Sequence, residues 1–272
     1  MNQKEVVMYS TRMTTLFVSV LVVIGCGGKP QDASAKIESR TGAAQPMQLA
    51  QAPAAAQPSA GGAAVHVSVK FSGTAPARTT VKMDADPVCQ QQHATPMVSE
   101  DVIVNSNGTL KHVFVYVKEG VSGSYPAPSA PATLEQIGCW YRPHVFGLHV
   151  NQPLEIINSD ATLHNVNAKP TANTPFNIAQ PVKGMKMAKK FAKPEVMVKF
   201  KCNVHPWMSA YAGVLDHPFF GVSDDQGTVT IAGLPAGTYT LEAWHEVYGT
   251  QTQTVSVDDG ETKSVDFTFK AQ

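Results

Sequence analysis

Charge is scarce in this chain and does not accumulate with one sign. Of 272 residues, 15% are Asp, Glu, Lys or Arg, and 21 basic side chains balance 21 acidic ones. That excludes a nucleic-acid binder working by bulk charge and a Glu/Lys-rich coiled coil. Long helical periodicity is missing too. So are a Gly-rich phosphate loop, a zinc-protease motif and a Gly-x-Ser-x-Gly elbow, which leaves nucleotide and hydrolytic chemistry without a local signature. Cysteine is limited to four residues, whose fates are separable. What the chain does have is 43% apolar residues, twenty Gly and nineteen Pro, a composition that favours turns and short strands. Its length allows one or two domains with an adequate core.

Period-2 patterns recur from Val65 onward. Val65–Phe71 alternates cleanly, and His112–Val117 follows an Asn107-Gly108 hairpin signal. Leu154–Asn158, Val196–Cys202, Val229–Ile231, Thr238–Ala243, Thr254–Val257 and Val265–Phe269 read as further strands. The fold class is therefore all-β, built as sandwiches or barrels. His66, His112 and His149 fall in alternating stretches and are expected to face solvent.

The first 25 residues carry Lys4 and Arg12 and then an apolar run from Leu16 to Ile24. The run is too short to span a bilayer and reads as a signal-peptide core. It ends in Val23-Ile24-Gly25-Cys26, which resembles the bacterial lipobox. The resemblance implies an exported lipoprotein on the periplasmic side of the envelope, with Cys26 carrying the lipid and Gly27 favouring the outer membrane. An ordinary secretory signal with an incidental cysteine is the alternative. Residues 26–64, rich in Ala, Gln, Pro and Gly, are expected to form a disordered linker with a reach of about 35 Å. The membrane is then met through the lipid alone.

Gly221-Val222-Ser223-Asp224-Asp225-Gln226-Gly227 followed by Leu234-Pro235-Ala236-Gly237-Thr238-Tyr239 resembles the carboxypeptidase regulatory-like (transthyretin-like) β-sandwich. Too few residues remain at the C-terminus for that sandwich, so its first strands are sought upstream. The expected arrangement is a split sandwich (65–125 and 218–272) with a second β domain inserted at 126–217. Two sequential domains breaking near Asp216 are the alternative.

The insert holds the chemistry. Cys202-Asn203-Val204-His205-Pro206-Trp207-Met208 lies between two strands, and His164-Asn165-Val166 lies upstream. One histidine, then Cys-x2-His-x2-Met, combines a thiolate, two imidazoles and a thioether, a donor set suited to both copper oxidation states. This stretch resembles the cupredoxins, with an amicyanin-like ligand loop. The resemblance implies a Greek-key sandwich and one type 1 copper held by His164, Cys202, His205 and Met208. It further implies a backbone N–H from Asn165 to the Cys202 sulfur, Pro206 removing a second such donor, and electron passage at an exposed edge of His205 framed by Pro206 and Trp207. The expected function is one-electron transfer, not enzymatic catalysis, with a c-type cytochrome or copper enzyme as partner and no nucleic acid. Copper binding or delivery, and a β-sandwich interaction module with a structural metal loop, are the alternatives. An enzyme with an open copper position is disfavoured by Met208.

Seven lysines fall between Lys183 and Lys201, whereas residues 216–272 hold nine acids against two lysines. The strip suits either docking of an acidic redox partner or protection of a sheet edge. Trp244-His245-Glu246 and His217-Pro218 read as structural corners or a second site.

Cys89 and Cys139 remain. In an exported chain a disulfide is the natural reading, contributing about 3–4 kcal/mol. The competitor is a second metal site using Cys89 near His93 and Cys139 near His144. A binuclear copper centre would need a second cysteine beside Cys202 and is not expected. Thiol titration of the unfolded, metal-free protein is expected to find one reactive thiol; three would remove the disulfide.

Overall fold

The computed structural model describes residues 61–271. The signal segment, Cys26 and the linker up to residue 60 lie outside the described residues. In chain order the elements are β1 (Ala63–Ser72), α1 (Pro87–Gln91), β2 (Phe114–Glu119), β3 (Ala132–Ile137), β4 (Trp140–Arg142) and β5 (Val145–His149). There follow β6 (Leu154–Asn158), β7 (His164–Lys169), β8 (Phe176–Gln180), β9 (Lys186–Lys189), β10 (Glu195–Lys201) and β11 (Ser209–Leu215). The last are β12 (Phe220–Val222), β13 (Thr228–Leu234), β14 (Gly237–His245), β15 (Gly249–Val257) and β16 (Thr262–Lys270). The first strand begins at Ala63, inside the segment expected to be linker, because Ala63 is fully buried and pairs with Leu234.

Four sheets result. The orders β13-β1-β16 and β12-β2-β14-β15 draw on residues 63–119 and 220–270, while β5-β11-β10-β7-β8 and β4-β3-β6-β9 draw on 132–215. Alternation dictates which faces are covered. In β1, Val65, Val67 and Val69 point into an aliphatic core with Ile231, Leu241 and Phe267, whereas His66 stays outside beside the Thr230 hydroxyl, 3.0 Å away. Tyr239 closes the corner expected from Leu234-Pro235-x-Gly-x-Tyr, its hydroxyl donating to the Pro235 carbonyl at 2.8 Å. The second core gathers Leu134, Leu148, Ile156, Val166 and Phe200.

The two sandwiches meet through an aromatic seam of Phe114, Tyr116, Tyr211, Phe220 and Trp244. Gly147 and Gly213 face one another on β5 and β11. A Cβ on Gly213 would lie 2.3 Å from the Phe114 ring, and one on Gly147 would lie 2.2 Å from Phe220. The pair is a slot that lets two aromatic rings lie against backbone.

Two of the three histidines expected at the surface are covered. His149 ends β5 buried at 8% exposure, with its Nδ1–H donating to the Val150 carbonyl at 2.8 Å. His112 precedes β2 in a left-handed backbone conformation (φ 65°) and packs against His144 with the rings tilted, 5.0 Å between centroids. Period-2 reading fails there because the strand starts only at Phe114. Gly213→Val is expected to cost about 1–3 kcal/mol through overpacking of the seam, seen as a lowered urea midpoint with an unchanged slope; an unchanged midpoint would mean that the Phe114 ring can withdraw freely.

Candidate metal centre

Three strand ends build the site. His164 opens β7, Cys202 follows the last residue of β10, and His205 sits in the tight loop before β11. That loop closes on itself: the Cys202 N–H donates to the Met208 carbonyl at 3.1 Å, and the Met208 N–H donates to the His205 carbonyl at 3.0 Å. Ligand atoms of His164, Cys202 and His205 all lie within 4.8 Å of one another, and all three side chains are buried. The two Nδ1 atoms are 2.9 Å apart, and the Cys202 sulfur is 3.8 Å from Nδ1 of His205. Met208, fully buried, lies at the end of the same loop.

Both imidazoles are held from behind by carboxylates. Nε2 of His164 donates to Asp160 at 2.8 Å, and Nε2 of His205 donates to Asp86 at 3.0 Å. Each Nδ1 is therefore the atom that carries the lone pair in the neutral ring. Two such lone pairs facing each other at 2.9 Å repel unless a proton or a metal ion lies between them. Burial works against charge on His164, but the bonds and charges of Asp160 and Cys202 outweigh it and raise its pKa. Burial likewise raises the Cys202 thiol, yet the adjoining His164 and His205 side chains and the backbone N–H groups of His205 and Val204 hold it down at about 6. A thiolate and two Nδ1 lone pairs converging in a buried site form a donor set that fits copper.

The carboxylates are themselves anchored. Asp160 accepts the N–H groups of Gly138 and Cys139 at 2.9 and 2.8 Å. Asp86 caps α1, accepting from Val88 and Cys89 at 2.9 and 3.3 Å, and takes the Thr162 hydroxyl at 2.7 Å. Cys89 and Cys139 are joined as a disulfide, so the two carboxylate platforms are covalently linked. Neither cysteine can then be a thiolate ligand. His93 instead lies 2.7 Å from the Gly138 carbonyl, and His144 is bound to Glu246 and the Ser209 carbonyl, so no second metal site forms from these residues. His245 accepts from the Val247 N–H, and His217 accepts from the Phe219 N–H, both acting as corners.

Two expectations change. The exposed edge of His205 is absent: the residue is 2% exposed, because Asp86 and the Cys89 sulfur, 3.6 Å from Nε2, cover it. The sulfur's backbone donors come from the ligand loop, with His205 N–H at 3.3 Å, rather than from Asn165. Asn165 acts through its side chain, whose Oδ1 accepts the Asn203 N–H at 3.0 Å and so pins the residue after Cys202. Pro206 is exposed, and Trp207 is half-buried with its indole N–H donating to the Cys139 carbonyl at 3.0 Å.

The carboxylate partners were the residues that sequence reasoning missed. Asp86-Pro87 is a legible helix start, an N-cap residue followed by Pro at the first helical position. Its placement over His205 has no local signal.

Residues 218–270 match the carboxypeptidase regulatory-like domain. Among solved structures the chain is similar to a purple cupredoxin from Nitrosopumilus maritimus, with 19% identity over 30% of this chain and 98% of that one and a TM-score of 0.27. It is also similar to an oxidised amicyanin mutant, with 19% identity over 30% of this chain and 79% of that one and a TM-score of 0.27. A copper-containing nitrite reductase from Thermus scotoductus matches at 21% identity over 38% of this chain and 25% of that one, with a TM-score of 0.28. No curated protein matches the chain.

In the metal-free protein, the ultraviolet thiolate absorbance lost in Cys202→Ala is expected to titrate near pH 6, against about 8.5 for an ordinary thiol. Below that midpoint a proton competes for the sulfur, so metal affinity falls as pH drops. A midpoint at or above the ordinary value would contradict the hydrogen-bonded thiolate.

Proposed function

We propose that the protein is an exported, lipid-tethered one-electron carrier with a single type 1 copper bound by His164, Cys202 and His205, and Met208 as a weak fourth donor. The observation that carries this reading is the apposition of two carboxylate-anchored Nδ1 atoms beside a low-pKa buried thiol. Copper bound there supplies Cu(II)/Cu(I) chemistry. The chain supplies the rest. Asp160 and Asp86 hold the rings in one tautomer and orientation, the loop N–H groups stabilise negative charge on sulfur, and the disulfide fixes both carboxylates. A donor set that moves little between oxidation states suits rapid electron exchange, and no bond is made or broken, so no enzymatic activity is assigned.

The partner is a redox protein such as a c-type cytochrome or a copper enzyme, met on the periplasmic side of the envelope. A lipid on Cys26, in the outer membrane, provides the tether. Complete burial of the three donors favours retention of metal through redox cycles over hand-off to a receiving protein.

Copper-loaded protein is expected to show the intense visible band of thiolate-to-Cu(II) charge transfer, lost in Cys202→Ser. Stopped-flow mixing with a reduced cytochrome in the presence of a competing copper chelator separates the functions. Fast bleaching of the band with copper retained supports the carrier. Copper lost to the chelator before bleaching supports delivery, and a colourless copper-replete protein contradicts the blue-copper assignment.

A further inference from the structure

The covered His205 raises a question of access, since an electron carrier needs a conducting group that reaches its partner. Asp86, α1 and the disulfide close the Nε2 side of that ring. One aromatic residue joins the buried shell to the surface. The Trp207 ring lies 5.1 Å from the His205 ring between centroids, two residues along the same loop, and its indole N–H is fixed on the Cys139 carbonyl. Trp207 also lines a cleft of about 590 Å³ together with Pro206, Lys199, Lys201 and Tyr211. The exposed aliphatic side chains nearest in sequence to the ligands, Leu163 and Val204, offer no π system.

The cleft has a charge bias. Lys199 and Lys201 project from β10, with the Lys199 ammonium 5.3 Å above the Tyr211 ring. Of the acids in the cleft, Glu100 is clamped by Arg142 at 2.6 and 3.1 Å, and Glu246 is bound by His144. Asp101 is left as the acid without an ion-pair partner among the described residues. More widely, residues 126–217 carry nine basic and five acidic side chains. By contrast, Lys186 and Lys189 lie on the edge strand β9, where protection of the sheet edge accounts for them.

We propose that electrons cross at Trp207, within this cleft, and that the partner is a one-electron metalloprotein presenting carboxylates to Lys199 and Lys201. This rests on the carrier function proposed above. With copper held by His164, Cys202 and His205, the partner's reduced metal would give up one electron and the bound Cu(II) would take it as Cu(I), with no proton transferred. Weak, salt-sensitive docking lets the partner leave after exchange.

The test uses the full copper-loaded chain with hexacyanoferrate(II) as an anionic donor and hexaammineruthenium(II) as a cationic one. Trp207→Leu is expected to slow exchange severalfold with both donors while the visible band persists, and Trp207→Phe is expected to restore most of the rate. The double variant Lys199→Glu/Lys201→Glu should slow the anionic donor by about tenfold or more and speed the cationic one, at unchanged absorbance. Poly-L-glutamate, which carries the expected surface chemistry, should slow the wild-type reaction with hexacyanoferrate(II) and not that of the double variant. A readout without copper comes from the metal-free protein: hexacyanochromate(III) should broaden the Trp207 indole N–H resonance, and the double variant should lose that broadening. Unchanged rates in Trp207→Leu with the band intact overturn the port. Indifference to poly-L-glutamate, or absence of broadening, overturns the carboxylate partner. A wild-type protein that binds copper without the band instead sinks the carrier function, and the port with it.

Discussion

Two carboxylates, one buried (Asp160) and one half-buried (Asp86), set the geometry of the candidate site. Asp160 and Asp86 each take the Nε2 proton of a histidine and so leave both Nδ1 lone pairs pointing at the same small volume, beside a cysteine sulfur. Without something positive between them the two nitrogens would repel at 2.9 Å. A soft, positively charged metal would satisfy both nitrogens and the thiolate at once. Positions of the other residues follow from keeping that arrangement rigid.

Rigidity comes from outside the ligand loop. The segment between β1 and β2 sends α1 across the site, and the disulfide ties α1 to the turn whose N–H groups hold Asp160. The cover therefore does two things: it positions the His205 carboxylate, and it excludes water from the ring's outer edge. Burial of that edge is why the proposed contact with a partner falls beside it, on Trp207 and the cleft next to β10. The second sandwich contributes Phe114, Phe220 and Trp244 to the seam, and the Gly147–Gly213 slot is what allows its aromatic rings to press so closely on β5 and β11.

Much of this was legible in the chain. Alternation in Val65–Phe71 and Val265–Phe269 marked strands whose valines and phenylalanines do fill a core, and Leu234-Pro235-x-Gly-x-Tyr marked a corner that Tyr239 closes. The order His164, Cys202, His205 marked three residues whose donor atoms meet. What stayed hidden was non-local. Asp86 lies 119 residues from His205, and no spacing rule links an N-cap aspartate to an imidazole so far along the chain. The burial of His205 and His149 was hidden for the same reason, since periodicity reports which face a side chain takes but not what packs above it. Asn165 was singled out correctly as a neighbour of the ligands, yet side-chain and backbone bonding cannot be told apart from sequence.

The most direct test of the central claim is anomalous scattering at the copper edge from crystals of the copper-loaded protein. The account predicts one strong peak within bonding distance of Nδ1 of His164, Nδ1 of His205 and the sulfur of Cys202, with Asp160 and Asp86 still seated on the two Nε2 atoms. Copper at any other location, or imidazoles turned so that Nε2 faces the ion, would contradict it.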